Sequence, residues 1–385
     1  MKRSTWKAAL GAVAALGLAG AGAAQQGVTE NEILIGEVLP LSGPPALLGV
    51  AHTLGVKAAI GEINDAGGIN GRMIRLITED DGYVNSRTVE GMRKLLDVHK
   101  VFAITAISGA AQGLTILPMI RDSGIPTMSP IGIATELYDP PTANLFPIGN
   151  TYDAASEAIT SAMAEMNPDA TWGIISQDDE YGSLTREGFQ RAVEEMGLEV
   201  VYDEQFKRGQ RDFSSEMLKL QASGADAFMM GGIIAENVAM AKELERLDYQ
   251  IPAGSSFVGR VPAVLQLMGS AGTNIYATDY VVPEDSEAGR AFLEKIGKYL
   301  TEEEMGRTNR YTFTGYIAGH VLFEAISRCG DMPTWDCTIE QLEGLRDFET
   351  GISSPVSFSA DDHFARLDMQ IMKANIDSMT FEPVE

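Results

Sequence analysis

The sequence predicts an α/β protein built as two similar lobes in tandem, each a mostly parallel sheet flanked by helices. From residue 32 onward, short runs rich in Val, Ile and Phe alternate with longer segments of helical period, the sign of βα units. That rhythm starts afresh near residue 151. The chain has 385 residues, 45% hydrophobic and 22% charged, a size and composition that allow two globular domains.

Residues 33–39 read as the first strand, and the cluster Pro40-Leu41-Ser42-Gly43-Pro44-Pro45 turns the chain into a helix from Leu48 to Ala66. Gly67-Gly68 ends that helix by accepting positive φ. Strands at 73–77, 101–107 and 125–129 alternate with helices at 86–97 and 113–123. The second half follows with helices at 154–166, 184–196, 213–222, 235–247 and 262–268, and strands at 172–176, 198–202, 227–231, near 251 and at 275–281. Helices at 286–299, 311–328 and 339–346 precede a tail with strand-like runs at 356–358 and 369–372. No linker rich in Pro, Ser or Gly separates the halves.

The amino-terminal residues differ from the rest. Lys2, Arg3 and Lys7 precede an apolar Ala/Leu/Gly run from Ala8 to Gly22, and Ala21-Gly22-Ala23 offers the small residues a signal peptidase accepts. Residues 1–24 are therefore expected to be an export signal cleaved near Ala23 or Ala24, too short and small-residued to span a bilayer. No second spanning stretch follows. Removing the signal deletes three cations and no acid, which takes the formal charge from −25 to −28. So acidic a surface repels nucleic acid.

Four scattered histidines (His52, His99, His320, His363) and two cysteines leave little material for a metal site, and neither metal nor cofactor is expected. Cys329 and Cys337 flank a Gly/Pro loop that could let the sulfurs meet in an oxidising compartment; two free thiols are the alternative. The 18 methionines read as packing filler.

Signatures of catalysis are missing: the mature chain contains no GxSxG, P-loop, HExxH or strand-following GxGxxG, so no enzyme is expected. Glu79-Asp80-Asp81 reads as a solvated, turn-forming cluster. Asp178-Asp179-Glu180 reads as helix N-cap and first-turn acids, with Tyr181 free to face a cleft.

Six blocks in order then carry a resemblance. They are Ile-Gly-Glu-Val-Leu-Pro-Leu-Ser-Gly-Pro (35–44), Glu-Ile-Asn-Asp-Ala-Gly-Gly-Ile-Asn-Gly (62–71), Glu-Asp-Asp (79–81), Arg-Asp-Ser-Gly-Ile-Pro-Thr-Met-Ser-Pro (121–130), Asp-Asp-Glu-Tyr-Gly (178–182), and Asp-Phe-Ser (212–214) followed by Ser-Gly-Ala-Asp-Ala (223–227). From about residue 30 to its end the chain resembles the periplasmic leucine/isoleucine/valine-binding proteins of ABC importers. The resemblance implies a two-lobed type I periplasmic binding protein fold with three hinge crossings, expected near 149–151, 279–282 and 354–356. An N-terminal lobe of 25–149 and 281–355 and a C-terminal lobe of 150–280 and 356–385 follow.

Carrying the family's ligand contacts over puts Leu48 at its bulky residue after the Ser-Gly-Pro loop. Its two carboxylate-binding hydroxyls fall on Ala110 and Ile133, and its ammonium-binding glutamate on Ser256. Tyr181 is kept, and a second-lobe aromatic is replaced around Ile233. A carboxylate could instead meet backbone N–H groups around Gly109-Ala110-Ala111 with Gln112, or Arg260, between walls of Tyr152, Tyr181, Phe257 and Tyr280. Without a carboxylate partner a buried ammonium costs several kcal/mol, so an aromatic or branched aliphatic acid fits better than an α-amino acid. The resemblance implies a monomeric periplasmic protein that captures a small amino acid or an organic acid, aromatic acids included, between two closing lobes and hands it to an ABC permease of the branched-chain amino acid type in the inner membrane. A ligand-sensing receptor or regulator on the same fold is the alternative.

Overall fold

The computed structural model describes residues 25–43, 45–129 and 131–384; the export signal expected at 1–24 lies outside the described residues. In the first half the elements are β1 (Glu32–Leu39), α1 (Ala46–Asp65), β2 (Met73–Asp80), α2 (Asn85–Arg93), β3 (Ala103–Ile107), α3 (Ala110–Ser123), β4 (Thr127–Ser129) and β5 (Leu145–Gly149). Then come α4 (Tyr152–Met166), β6 (Thr171–Gln177), α5 (Glu180–Met196), β7 (Glu199–Phe206), α6 (Ser214–Ser223), β8 (Ala227–Gly231), α7 (Ala235–Arg246), β9 (Ala253–Ser255), α8 (Pro262–Met268) and β10 (Ile275–Asp279). The chain ends with α9 (Glu287–Ile296), α10 (Glu302–Met305), α11 (Arg310–Ser327), α12 (Trp335–Glu343), β11 (Ala365–Arg366), β12 (Gln370–Asn375) and β13 (Thr380–Pro383).

The first sheet runs β11-β5-β4-β3-β1-β2 and is parallel throughout. The second runs β13-β12-β10-β9-β8-β6-β7, parallel except where β12 pairs antiparallel with β10 and β13. Both repeat one doubly wound order, second, first, third, fourth, fifth. The order reverses between β1 and β3 in one lobe and between β6 and β8 in the other, and such points open a crevice at the carboxyl ends of the strands.

The run Leu145–Gly149, not expected as a strand, forms β5 despite Pro147 because only the two-residue β11 lies outside it. After β10 the chain returns to the first lobe, where α11 packs on α1 and touches β3 and β4. Close contact is why Gly55 stands on α1: a Cβ there would lie 2.0 Å from the carbonyl oxygen of Thr312. Although α1 is long and apolar enough to cross a membrane, much of it is buried, with Leu48, Leu54, Val56 and Ala58 among the core residues.

The third crossing differs from the expectation. Residues 356–366 stay with the first lobe, since β11 pairs with β5 and Leu367 N–H donates to Gly149 O at 2.9 Å. The chain passes to the second sheet at 367–369. Phe358 and His363 both pack on Phe146, with ring centroids 5.3 and 4.3 Å apart, and this apolar docking holds the segment past the expected 354–356. Val356 forms only an isolated bridge to Phe348 rather than a strand. Cys329 and Cys337 are joined as a disulfide between α11 and α12, with Cα atoms 5.9 Å apart.

Candidate functional site

Between the lobes lies a narrow cavity lined by Pro40, Leu48, Tyr83, Ser108, Gly109, Ile131, Tyr152, Tyr181, Ile233 and Val258. All but Leu48 follow directly or within a few residues the carboxyl end of a parallel strand, and Leu48 opens the helix after β1. Both switch points contribute: Pro40 and Ser108 flank one, Tyr181 and Ile233 the other. The free space is about 10 Å³, room for about one water, because aromatic rings fill the rest. None of the lining side chains is ionised at neutral pH.

Tyr181 is fixed by its hydroxyl, which donates to Gly232 O at 3.0 Å and lies 3.3 Å from Ser256 Oγ. The loop after β8 is itself held by Asn237, whose side chain accepts from Gly232 N–H at 3.0 Å and donates to Ser255 Oγ at 3.1 Å. Tyr152 meets Tyr181 edge-on at 4.7 Å and stacks on Phe257 at 5.1 Å, and Phe257 meets Tyr280 edge-on at 5.0 Å. Burial pushes the phenols of Tyr83, Tyr152, Tyr181, Tyr280 and Tyr311 up, that of Tyr181 to about 12, so all five stay neutral at physiological pH.

The opposite wall is the amino terminus of α3. Gly109 has φ +40°, and a Cβ there would sit 2.4 Å from Gln112 Oε1 and 2.7 Å from the Tyr83 ring. Only glycine lets all three converge. Gln112 is fully buried, and neither its Oε1 nor its Nε2 has a hydrogen-bond partner among the described residues. Of this helix start only Gly109 lines the cavity, with the unpaired Gln112 amide directly behind it. An unpaired buried amide at a helix amino terminus is chemically suited to an anion and an adjoining polar group.

Of the residues singled out from sequence, the structure brings Leu48, Tyr152, Tyr181 and Ile233 to the cavity lining. Phe257 and Tyr280 form the layer behind Tyr152, and Ser256 touches Tyr181. Ala110, Ala111 and Gln112 form the first turn of α3 beneath Gly109. Ile133 is buried but gives its place on the lining to Ile131. Arg260 does not line the cavity. It is 1% exposed, with Nε 2.8 Å from Asp279 Oδ2 and Nη1 on Glu284. Asp279 also accepts from Arg310 Nε and Nη2 at 3.0 and 2.8 Å, so a buried network ties the end of β10 to α11 of the other lobe. The Arg310 guanidinium lies 4.9, 4.6 and 4.7 Å from the Phe257, Tyr280 and Tyr311 ring centroids.

Tyr83 is the main residue that sequence reasoning missed. The neighbouring acids build its turn: Asp80 accepts from the N–H of Leu41 and Gly82, both at 2.9 Å, and Asp81 from that of Tyr83 at 2.8 Å. Asp81 is buried rather than solvated, accepting also from Thr88 Oγ1 and Ser108 Oγ. Partial burial raises the Asp80 carboxyl, but hydrogen bonds from Ser42, Leu41, Gly82 and Arg87 outweigh that and hold it at about 2. The signal that could have found Tyr83 is its place just past the carboxyl end of β2.

Two doubly wound lobes whose switch points face each other across a small uncharged cavity define a type I solute-binding fold. The chain belongs to the periplasmic binding protein family, whose pattern matches residues 32–378. It is 25% identical over 337 residues to Leu/Ile/Val-binding protein homolog 7 of Brucella abortus, covering 83% of this chain and 82% of the relative. A branched-chain amino acid ABC transporter protein from Thermus thermophilus with bound valine superposes with TM-score 0.84 at 18% identity, over 93% of this chain and 96% of that one. A fatty acid ABC transporter substrate-binding protein from Thermomonospora curvata superposes with TM-score 0.83 at 20% identity, over 94% of each.

Proposed function

We propose that this protein is the exported solute-capturing component of an ABC importer and that its solute is a small monocarboxylic acid with an aromatic or branched apolar body. The single observation that carries the reading is the lining itself: three tyrosines and five aliphatic or proline side chains converge with no acidic group among them. An α-ammonium buried there would lack a carboxylate, a loss of several kcal/mol. A carboxylate would meet the α3 amino terminus and the unpaired Gln112 amide, where the helix dipole and an amide N–H donor favour it. Valine and fatty acids, named for the two structural relatives, share a carboxylate on an apolar body. The solute is bound and released unaltered, and lobe closure signals occupancy to the permease.

Leucine and 4-methylpentanoate differ only by the amino group, so a thermal-shift comparison of the two on mature protein tests the reading. The acid is expected to stabilise, by about 2.7 kcal/mol at a hundredfold excess over Kd, and leucine to bind at least about tenfold more weakly. Leucine binding as tightly as the acid would overturn the proposal.

A further inference from the structure

A second interlobe cavity adjoins the first, lined by Pro45, Val84, Arg208, Ile234, Ala235 and Glu236 among others, and it shares Tyr83 and Ile233 with the inner one. Its free volume is about 220 Å³ against about 10 Å³ inside. An apolar cavity of about 150 Å³ is enough to take up benzene, so this outer chamber holds more of an organic molecule than the inner one does.

The partition is a built feature. Tyr83 has φ +63° directly after Gly82 at +53°, a left-handed conformation that a bulky residue adopts only when its surroundings enforce it. Here Asp80 and Asp81 enforce it through the backbone hydrogen bonds already described. From the other lobe Arg208 lays its guanidinium 4.8 Å from the Tyr83 ring centroid, and Asp179 holds that arginine through Nε at 3.1 Å and through Nη2. Tyr83 is thus clasped across the cleft by a residue whose own charge is already matched.

We propose that Tyr83 and Arg208 form a gate between two chambers of one site, and that the solute is an elongated monocarboxylate. Its acid end lies at α3, and its apolar tail passes Tyr83 into the outer chamber. The outer lining gives a tail apolar contact through Pro45, Val84, Ile233, Ile234 and Ala235. A second carboxylate at the tail would face Glu236 in the first turn of α7 and Asp179 behind Arg208. This inference rests on the reading of the cleft as an acid site and adds the solute's length and its single charge.

Calorimetric titration of the mature protein with straight-chain monocarboxylates from butanoate to decanoate, and with α,ω-dicarboxylates of equal length, tests it. Wild-type affinity is expected to climb about fourfold for each methylene that enters the outer chamber, and dicarboxylates to bind at least about tenfold more weakly. Ala235→Trp, at an exposed position of the outer chamber, should collapse the ratio of long-chain to short-chain affinity. Tyr83→Ala should raise that ratio. Short acids that bind without any climb, a ratio unmoved by both variants, or dicarboxylates binding as well as monocarboxylates would overturn the gate and leave the acid site standing. A panel in which no straight-chain acid binds would overturn the elongated solute, and failure of 4-methylpentanoate to bind as well would overturn both.

Discussion

Replacing Asp279 by Asn keeps the shape of a fully buried side chain and removes the one charge that two guanidiniums share. In the native protein Arg310 contacts Asp279 at 2.8 to 3.1 Å through two nitrogens, Arg260 approaches to 2.8 Å, and the N–H groups of Tyr280 and Val281 donate at 2.7 and 3.2 Å. The Asp279→Asn variant would leave both arginines buried with only Glu284 to balance them. Breaking such a network from one side costs about 3–5 kcal/mol. At about 2 °C per kcal/mol for a chain of this size, the unfolding midpoint should fall by about 6–10 °C. Far-UV circular dichroism melts of wild type, Asp279→Asn, Arg310→Met and the double variant complete the cycle. Because the partners touch, the double variant should cost less than the sum of the singles, by about 1–3 kcal/mol. The same variants should weaken solute binding, since Arg310 backs Phe257 and Tyr280, the layer behind Tyr152. A midpoint within about 2 °C of wild type, or strict additivity, would refute the argument that this network joins the lobes energetically.

Gly109→Ala should cost about 1–3 kcal/mol in stability and at least about tenfold in solute affinity, because a methyl group would overlap Gln112 and Tyr83 and strain a positive φ; a urea titration with a binding isotherm checks both. Burial lowers the His320 pKa, against an opposing pull from Glu62, so the folded state favours the neutral ring. Stability should therefore fall as pH drops below the ordinary histidine value of about 6.5. His320→Gln should be less sensitive, and melts at pH 7.5 and 5 with a constant gap between the two proteins would refute this. Replacing Cys329 and Cys337 by Ser opens a loop of sequence separation 8 and should cost about 2–3 kcal/mol, read as a lower urea midpoint; an unchanged midpoint would mean the bond adds nothing.

Much of this architecture was legible in the sequence. Strands β1, β3 and β8 are runs of mostly apolar residues closed by turn residues, and the repeating βα rhythm pointed to two lobes. The run at 145–149 hid its strand because Pro147 lacks the N–H of an interior strand. The late third crossing hid because the contacts that hold it, Phe358 and His363 on Phe146, join residues more than 200 positions apart. At the site, Leu48, Tyr181 and Ile233, carried over on the resemblance, and Tyr152, offered as a wall, all lie on the cavity lining. Arg260 did not, since its partner Asp279 comes from another strand and occupies the charge that a solute would have needed. Ile131 rather than Ile133 lines the cavity, and positive φ at Gly132 lies between the two. Tyr83 was masked by the acids before it, which accept from the backbone N–H groups of Gly82 and Tyr83 and so shape its turn.

Small-angle scattering from the mature protein, with and without 4-methylpentanoate, tests the central claim most directly. The radius of gyration should contract when the acid is added and recover on dialysis, with the acid returned chemically intact in one-to-one amount. Curves that superpose under saturating acid, or acid recovered as a different compound, would contradict the account.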